Sequence, residues 1–277
     1  MFSQLLNISN YYFNPYAIPV MVVGILIFSI GFFVLKQNTK SIINIAFFFQ
    51  CFTVSLWVLP ISIVYLSRAP EVALIWYRYF TFFGVVNIMP SLIFLAMVWL
   101  GEFKTKTRFI IANYFIGFIF YILAVTTDKI ISPRTINKYF WGFYPIYRPL
   151  AVLFLLTYAA QFLTGLFNLY RAYKKEIVPN RKMQIWTMIT ATLIGATASA
   201  DFIPKFFKIS LYPYGYIPIS IYVYVVAYSI IRYKTFDIET AIHKTLMWLL
   251  SFSFIVIPVL LLYWWILPRI EGALILQ

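Results

Sequence analysis

Apolar stretches of about 20 residues, separated by short charged loops, dominate this sequence. A stretch of this length can span the hydrocarbon core of a bilayer as an α-helix, whereas a water-soluble domain could not bury so many apolar side chains. Hydrophobic residues make up 63% of the chain and charged residues 11%, and the charged residues lie mainly between the apolar stretches. The sequence therefore predicts an all-α fold, a polytopic membrane helical bundle.

Seven transmembrane helices are predicted, followed by an eighth apolar run that has the length of a span. The seven cover approximately residues 16–35, 42–66, 74–100, 109–125, 149–170, 185–203 and 214–231, and the eighth run covers 245–267. We divide the chain into a seven-transmembrane module, residues 1–239, and an additional membrane-spanning or interfacial helix within residues 240–277.

Lys and Arg residues are distributed unequally between the two sides of the predicted bundle. The loops after odd-numbered spans hold 13 of them and the opposite side holds 8. Cytoplasmic loops carry the excess of basic residues, so we expect a multi-pass protein of the cell inner or plasma membrane with its N-terminus outside. The net charge of +14 suits contact with membrane lipids. Nucleic-acid binding is not expected, because the basic residues flank spans and form no single stripe.

Residues that catalysis and metal binding require are scarce. The single Cys51 excludes an intrachain disulfide, and the single His243 excludes a site that needs two histidines. The spans contain no cluster of acids and no nucleophile beside a base, so we expect no catalytic residue, no metal and no cofactor, and the chain is not predicted to be an enzyme. A retinal photoreceptor would need a Schiff-base lysine in the seventh span, where the sequence has none.

One acidic residue, at the end of the sixth span, is the first candidate for a ligand or signalling site. This residue is Asp201, and Lys205 follows four positions later. A charged side chain at membrane depth is costly, so it commonly marks a function or a specific partner. Two interpretations stay open: an interfacial acid paired with Lys205 or with a helix cap, and a sensing or gating acid with Arg78 as one partner. Arg78 itself either extends to the lipid headgroups or pairs with a buried acid.

Three polar residues of the fifth span are further candidates. Gln161, Thr164 and Asn168 are spaced so that they lie close to one helical face. Such a stripe in a membrane helix usually forms hydrogen bonds with a neighbouring helix. A ligand pocket containing Gln161 and Asn168 is the alternative.

The longest connection, residues 126–148, is rich in aromatic side chains. It contains Tyr139, Phe140, Trp141, Phe143, Tyr144 and Tyr147. Because Trp and Tyr are enriched at membrane interfaces, we expect an interfacial belt, with a ligand-binding lid as the alternative.

Two stretches carry a resemblance to a known family: the turn DFIPKFFKISLYPYGYIP and the exit VVAYSIIRYKTFDIE. Together with the seven-span layout, they resemble the N-terminal seven-transmembrane region of bacterial sensor histidine kinases. The resemblance implies a sensor, or input, module whose last helix passes a signal to a cytoplasmic output domain. It also implies that Arg232, Tyr233, Asp237 and Ile238 form the connector. No kinase domain follows Glu239 in this sequence.

A sensor of this kind changes state when a stimulus stabilises one helix packing over another. Prolines within the predicted spans, which remove backbone hydrogen bonds, are candidate hinges: Pro60, Pro90, Pro218 and Pro258. The expected partners are a small or amphipathic ligand, a cytoplasmic output domain or protein, and a second copy of the chain in a homodimer. A transporter-like protein and a structural membrane subunit without a signalling role are the alternatives.

The predicted orientation can be tested by labelling single cysteines on intact cells. In a Cys51→Ser background, a cysteine is placed before Tyr16, after Glu239 or after Gln277. We expect a membrane-impermeant thiol reagent to label the first and third positions, because eight spans place both outside. Labelling after Glu239 would reverse the orientation and contradict the sensor interpretation.

Overall fold

The computed structural model describes residues 2–232, except for the side chains of residues 2, 3, 134–137, 231 and 232. Apart from one two-stranded hairpin, the described chain is all-α. Its helices are α1 (Ala17–Gln37), α2 (Ile42–Leu66), α3 (Pro70–Ile75), α4 (Phe82–Trp99), α5 (Phe103–Thr126), α6 (Leu150–Lys175), α7 (Pro179–Ala196), α8 (Ile203–Phe207) and α9 (Tyr216–Arg232). A π-helical turn, Trp76–Thr81, joins α3 to α4, and 3-10 helices cover Phe2–Leu6, Ile8–Asn10 and Thr197–Phe202. The hairpin consists of β1 (Ile131–Tyr139) and β2 (Gly142–Tyr147).

Five of these helical segments are long and apolar enough to cross a membrane. They are Ala17–Gln37, Ile42–Leu66, Pro70–Trp99, Phe103–Thr126 and Leu150–Lys175, and they coincide with the first five predicted spans. Helices α7 and α9 lie where the sixth and seventh spans are predicted but are not among the five. Membrane crossing by these two helices therefore stays a prediction. Of the predicted connector, only Arg232 is described, as the last residue of α9; Tyr233, Asp237, Ile238 and the eighth apolar run lie outside the described residues.

Six helices form a ring through their pairwise contacts. The order is α1, α2, α4, α6, α7 and α9, and α9 contacts α1 to close the ring. Helix α5 packs outside the ring against α4. The long helices run in alternating directions along the chain. The short loops between α1 and α2, between α4 and α5 and between α6 and α7 therefore lie together at one end of the bundle. The hairpin, the N-terminal segment and the chain between α7 and α9 lie at the other end, called here the hairpin end.

The centre of the bundle combines a close backbone contact with a small polar network. Gly84 of α4 lies against α2 so closely that a Cβ atom would be 2.4 Å from the backbone nitrogen of Trp57. Farther along the same interface, the Ser91 hydroxyl donates to Oε1 of Gln50 at 2.8 Å and lies 2.9 Å from the Thr53 hydroxyl. All three side chains of this network are buried. Small residues and satisfied polar groups are the usual means by which membrane helices associate.

Prolines occupy two kinds of helical position, the first turn and the interior. Pro70 and Pro179 begin α3 and α7, where a missing N–H costs nothing because the first turn has no acceptor for it. Pro60 and Pro90 lie inside α2 and α4, as the hinge prediction requires. Pro218 lies in the first turn of α9, so it removes no internal hydrogen bond and is not a hinge. Pro258 lies outside the described residues.

The aromatic connection forms a hairpin packed onto the bundle, which differs from the predicted interfacial belt. Strands β1 and β2 pair antiparallel, and Gly142 turns the chain at φ 130°. A side chain at Gly142 would also meet the Cα atom of Tyr65 at 2.8 Å. The buried aromatic residues of the connection are Trp141, Phe143, Tyr144 and Tyr147, whereas Phe140 is exposed. The prediction was wrong because these rings find partners in helix ends that are distant in sequence.

Two glycines in helix interiors offer a matched test of the packing. We expect Gly84→Ala to lower the stability of the bundle by about 1–3 kcal/mol, because the new methyl group meets the backbone of α2. The same change at Gly165, where the nearest atom would be 3.7 Å away, should be neutral or slightly stabilising. Unfolding by SDS in mixed micelles measures both variants. Equal destabilisation of the two would contradict this packing.

Candidate functional site

The ammonium group of Lys205 is buried at the hairpin end among four aromatic rings. It lies 4.8 Å from the ring centres of both Tyr144 and Phe202, 5.8 Å from that of Tyr147 and 6.0 Å from that of Tyr77. The lysine is 1% exposed. A cation within about 6 Å of an aromatic face is attracted by the ring quadrupole, and the attraction is largest where water is excluded. We call these four rings the aromatic cage.

Three distant segments supply the cage. Tyr77 comes from the π-helical turn, Tyr144 and Tyr147 from β2, and Phe202 from the end of the 3-10 helix that follows α7. The hydroxyl groups of Tyr77 and Tyr147 are 2.9 Å apart, which joins the π-helical turn to the hairpin. The cage therefore forms only when the hairpin is docked.

Asp201 uses its backbone and its side chain for different contacts. Its carbonyl oxygen accepts hydrogen bonds from the Lys205 ammonium and from the Tyr144 hydroxyl, both at 3.0 Å. Its carboxylate oxygen Oδ1 accepts a hydrogen bond from the backbone N–H of Gly215 at 2.9 Å. Gly215 directly precedes the first residue of α9. The carboxylate thus lies at the N-terminus of α9, where the helix dipole favours a negative charge.

The predicted pairing of Asp201 and Lys205 takes an unexpected form. The two residues are in contact, yet the ammonium binds the backbone carbonyl rather than the carboxylate. Among the side chains that the structure describes, the only oppositely charged groups within 4.0 Å of each other are those of Arg78 and Asp128. The carboxylate and the ammonium of the candidate site are therefore both buried without a direct ion pair. The carboxylate binds the N-terminus of α9, which agrees with the cap interpretation.

Arg78 is not the partner of Asp201. Its guanidinium donates to the Asp128 carboxylate at 3.0 Å and to the carbonyl of Ile131 at 2.9 Å. Asp128 lies just after α5 and Ile131 begins β1, so this contact holds the base of the hairpin against the π-helical turn. The Arg78 side chain is 12% exposed and that of Asp128 is 53% exposed. The structure therefore supports the interpretation of Arg78 as the partner of an acid, but with an acid other than the one predicted.

The polar stripe of α6 is divided between two kinds of contact. Gln161 is buried and donates to the backbone carbonyl of Asn113 in α5 at 3.3 Å. Thr164 and Asn168 bind carbonyl groups of their own helix. Only Gln161 thus joins two helices as predicted. Neither Gln161 nor Asn168 lines a cavity described below.

A cavity lies inside the helix ring, between α4 and α7. Its volume open to groups the size of a water molecule is about 40 Å³, which is small beside the usual range of ligand pockets. Asp201 and Lys205 line its hairpin end. Its wall is mainly apolar and includes Trp57, Val85, Ile88, Met89, Leu92, Phe162 and Ile219. Asp201 also lines two neighbouring cavities near the start of α9, of about 10 Å³ and about 250 Å³.

Two buried hydroxyl groups in the wall of this central cavity have no hydrogen-bond partner in the structure. They belong to Thr192 of α7 and Tyr222 of α9, which are 3% and 2% exposed. A buried polar group without a partner is costly, so most such groups have one. Gln50, whose side chain accepts from Ser91, lies in the same wall. The two hydroxyl groups have essentially no accessible surface, so the surface of the cavity is charged at its hairpin end and mainly apolar elsewhere.

Sequence reasoning missed several residues of this site. Tyr77, Tyr144, Tyr147 and Phe202 were visible only as general aromatic enrichment, and nothing in their spacing indicated a common lysine. Gly215 gave a weak signal, since it lies in the quoted turn at the start of the seventh predicted span. Its role requires the absence of a side chain, because a Cβ atom would be 2.5 Å from Oδ2 of Asp201.

Comparisons with known proteins assign no family to the chain: no protein-family model matches the sequence, and no curated protein is significantly similar to it. Within residues 2–232, no group of three or more His, Cys, Asp or Glu side chains is placed to hold a metal ion. The function of the site therefore has to be argued from its own geometry.

The coupling between the two buried charges can be measured with a double-mutant cycle. We expect Asp201→Asn and Lys205→Met each to destabilise the protein, because each leaves one buried charge uncompensated. The double variant should lose less than the sum, with a coupling energy of about 1–3 kcal/mol. Arg78→Met with Asp128→Asn is the matched control cycle, and its coupling should stay below about 1 kcal/mol because Asp128 is exposed. Additive effects in the first cycle would show that the two charges do not interact.

Proposed function

We propose that this chain is a membrane-embedded sensor module that converts the binding of a ligand at Asp201 into a displacement of α9. The observation that carries the proposal is the hydrogen bond from the Gly215 N–H to the Asp201 carboxylate. It joins a charged group of the cavity wall to the residue in front of α9. A ligand that binds the carboxylate competes for this bond and changes the charge at the helix N-terminus.

Helices α7 and α9 are packed closely enough to move together. A Cβ atom at Gly195 of α7 would lie 3.1 Å from both Cβ and Cγ of Tyr222 in α9. Both residues line the central cavity, and α2 and α4 form the wall across from them. A ligand that binds at Asp201 would therefore act on α7 and α9 as one unit. Packed interfaces of this kind favour discrete arrangements over continuous deformation.

Helix α9 leads toward the segment that the resemblance to histidine kinase input regions assigns as the connector. In the proposed scheme, Arg232, Tyr233, Asp237 and Ile238 pass the displacement to a cytoplasmic output domain or partner protein. The scheme includes an N-terminus outside the cell inner or plasma membrane, which agrees with the distribution of Lys and Arg. A homodimer would allow two α9 helices to act on one output.

The proposal can be tested by fusing the output domain of a characterised histidine kinase after Glu239. We expect Asp201→Asn to change phosphorylation of the response regulator about fivefold or more, because the neutral amide binds the N-terminus of α9 more weakly. Asp128→Asn is the control, since it removes an acid of the hairpin end that does not contact α9. Both variants are compared at equal amounts of membrane protein.

Equal output from the parent chain and from Asp201→Asn would contradict a sensor role for this site. That result would favour the alternative of a structural membrane subunit. A transporter-like role would instead show as substrate uptake that depends on Asp201 while kinase output stays constant.

A further inference from the structure

We infer that the ends of α6 and α7 form a binding site for an anionic phospholipid, with Lys174 and Lys182 as the cations that bind its phosphate group. The site lies at the end of the bundle that carries the three short loops, called here the loop end. Asp201 lies at the opposite end, so the site is separate from the one in the proposed function.

The loop end has a large excess of positive charge. Residues 36–40, 102–108 and 171–182 contain ten Lys and Arg residues and two acids. Among the side chains that the structure describes, none of the ten forms an ion pair, since the one pair within 4.0 Å lies at the hairpin end. The acid nearest to the two lysines in sequence, Glu176, accepts the backbone N–H groups of the two residues that follow it. The positive charge of the loop end is therefore left for an anion from outside the chain.

The length of α6 places its last residues at the level of the lipid headgroups. The predominantly apolar part of α6, from Leu150 to Tyr170, rises about 30 Å at 1.5 Å per residue, which matches the thickness of the hydrocarbon core. Lys174 follows about one turn later. The Tyr170 ring is half-exposed, as is typical of a tyrosine at a membrane interface. Lys174 is therefore placed where the phosphate groups of phospholipids lie.

Aromatic rings position both ammonium groups. That of Lys174 lies 5.5 Å from the ring centre of Tyr170, and that of Lys182 lies 5.1 Å from the ring centre of Tyr173. Tyr173 also packs against Trp186 of α7, with 5.4 Å between the ring centres, so it joins the two helices. Because the ring contacts already restrict the two lysine side chains, these lose less conformational freedom when they bind a phosphate.

The two lysines retain donors that Arg181, in the same loop, has already used. Arg181 donates to the carbonyl of Trp99 and to Oε1 of Gln184. An ammonium group has three N–H donors, and the contacts that the described part of the chain gives Lys174 and Lys182 are with ring faces. A phosphate diester provides a negative charge and acceptor oxygens for both, and charge-assisted hydrogen bonds are the strong ones.

One stripe of α6 follows the profile of a phospholipid from acyl chain to headgroup. Leu163, Phe167, Tyr170 and Lys174 are spaced four, three and four residues apart, so they lie on one face of the helix. The first three are 60%, 62% and 47% exposed. Two apolar side chains, an aromatic ring and a cation thus follow one another toward the loop end. A soluble acidic protein would bind the cation without using the apolar part of the stripe, so the stripe favours a phospholipid.

Thermal unfolding of the full-length chain in nanodiscs tests the inference. The two lipid compositions are phosphatidylcholine alone and phosphatidylcholine mixed with phosphatidylglycerol. A ligand that binds only the folded state raises the unfolding temperature. We expect the parent chain to unfold about 2–4 °C higher in the mixture. Inorganic phosphate added to the phosphatidylcholine nanodiscs should have no effect, because it has no acyl chain to lie along α6.

Two double variants separate this site from the general charge of the loop end. Lys174→Gln with Lys182→Gln should remove most of the difference between the two compositions. Lys104→Gln with Lys106→Gln is the matched control, because it removes the same charge from the loop end at exposed positions of α5, and it should keep most of the difference. Unfolding in phosphatidylcholine alone shows that each variant is folded.

An equal loss of the difference in the two double variants would show a general effect of surface charge and overturn the inference. Stabilisation of the parent chain by inorganic phosphate to the same extent as by the lipid mixture would also overturn it. If the parent chain unfolds at the same temperature in both compositions, no anionic lipid binds, and an acidic protein becomes the better partner for the two lysines.

Discussion

The burial of the Lys205 ammonium among aromatic rings requires several separate segments of this protein to be in place at once. The π-helical turn, strand β2 and the 3-10 helix after α7 each contribute at least one ring of the cage. Transfer of a lone ammonium out of water is very unfavourable, so a structure that lacked one of these segments would leave the charge poorly compensated. The lysine thereby couples the docking of the hairpin to the position of the chain that leads into α9.

The same end of the bundle is held by polar contacts that cross long sequence distances. The Asn14 side chain donates to the carbonyl groups of Tyr65 and Trp141, each at 2.8 Å. The Tyr212 hydroxyl donates to the carbonyl of Tyr16 at 3.0 Å. These bonds join the N-terminal segment, the end of α2, the hairpin and the segment before α9. The Asp201 carboxylate therefore lies in a region where hydrogen bonds join four segments of the chain. Helix α9 extends from this region toward the other end of the bundle.

The hairpin and the partner of Arg78 show where reasoning from sequence was insufficient. Each aromatic residue of the hairpin has a strong interfacial tendency on its own, and that tendency predicted a belt. The structure instead buries Trp141 and Tyr144 against helix ends, because the turn at Gly142 brings the two strands onto Tyr65. Similarly, the partly buried Arg78 could be expected to pair with an acid, but five acids occur within the described residues. Only the position of the hairpin shows that Asp128, and not Asp201, is within reach.

The sequence by itself determined the all-α class, the positions of five helices that are long and apolar enough to cross a membrane, and the prominence of Asp201. It could do so because an apolar stretch of spanning length must satisfy its backbone internally as a helix, and because a lone acid beside such a stretch stands out from its neighbours. Only the tertiary structure decided which groups surround that acid. The order of the helices in the ring, the aromatic cage around Lys205 and the cavity between α4 and α7 depend on side-chain packing between segments far apart in the chain. Hydropathy is a property of one segment at a time and carries no information about such contacts.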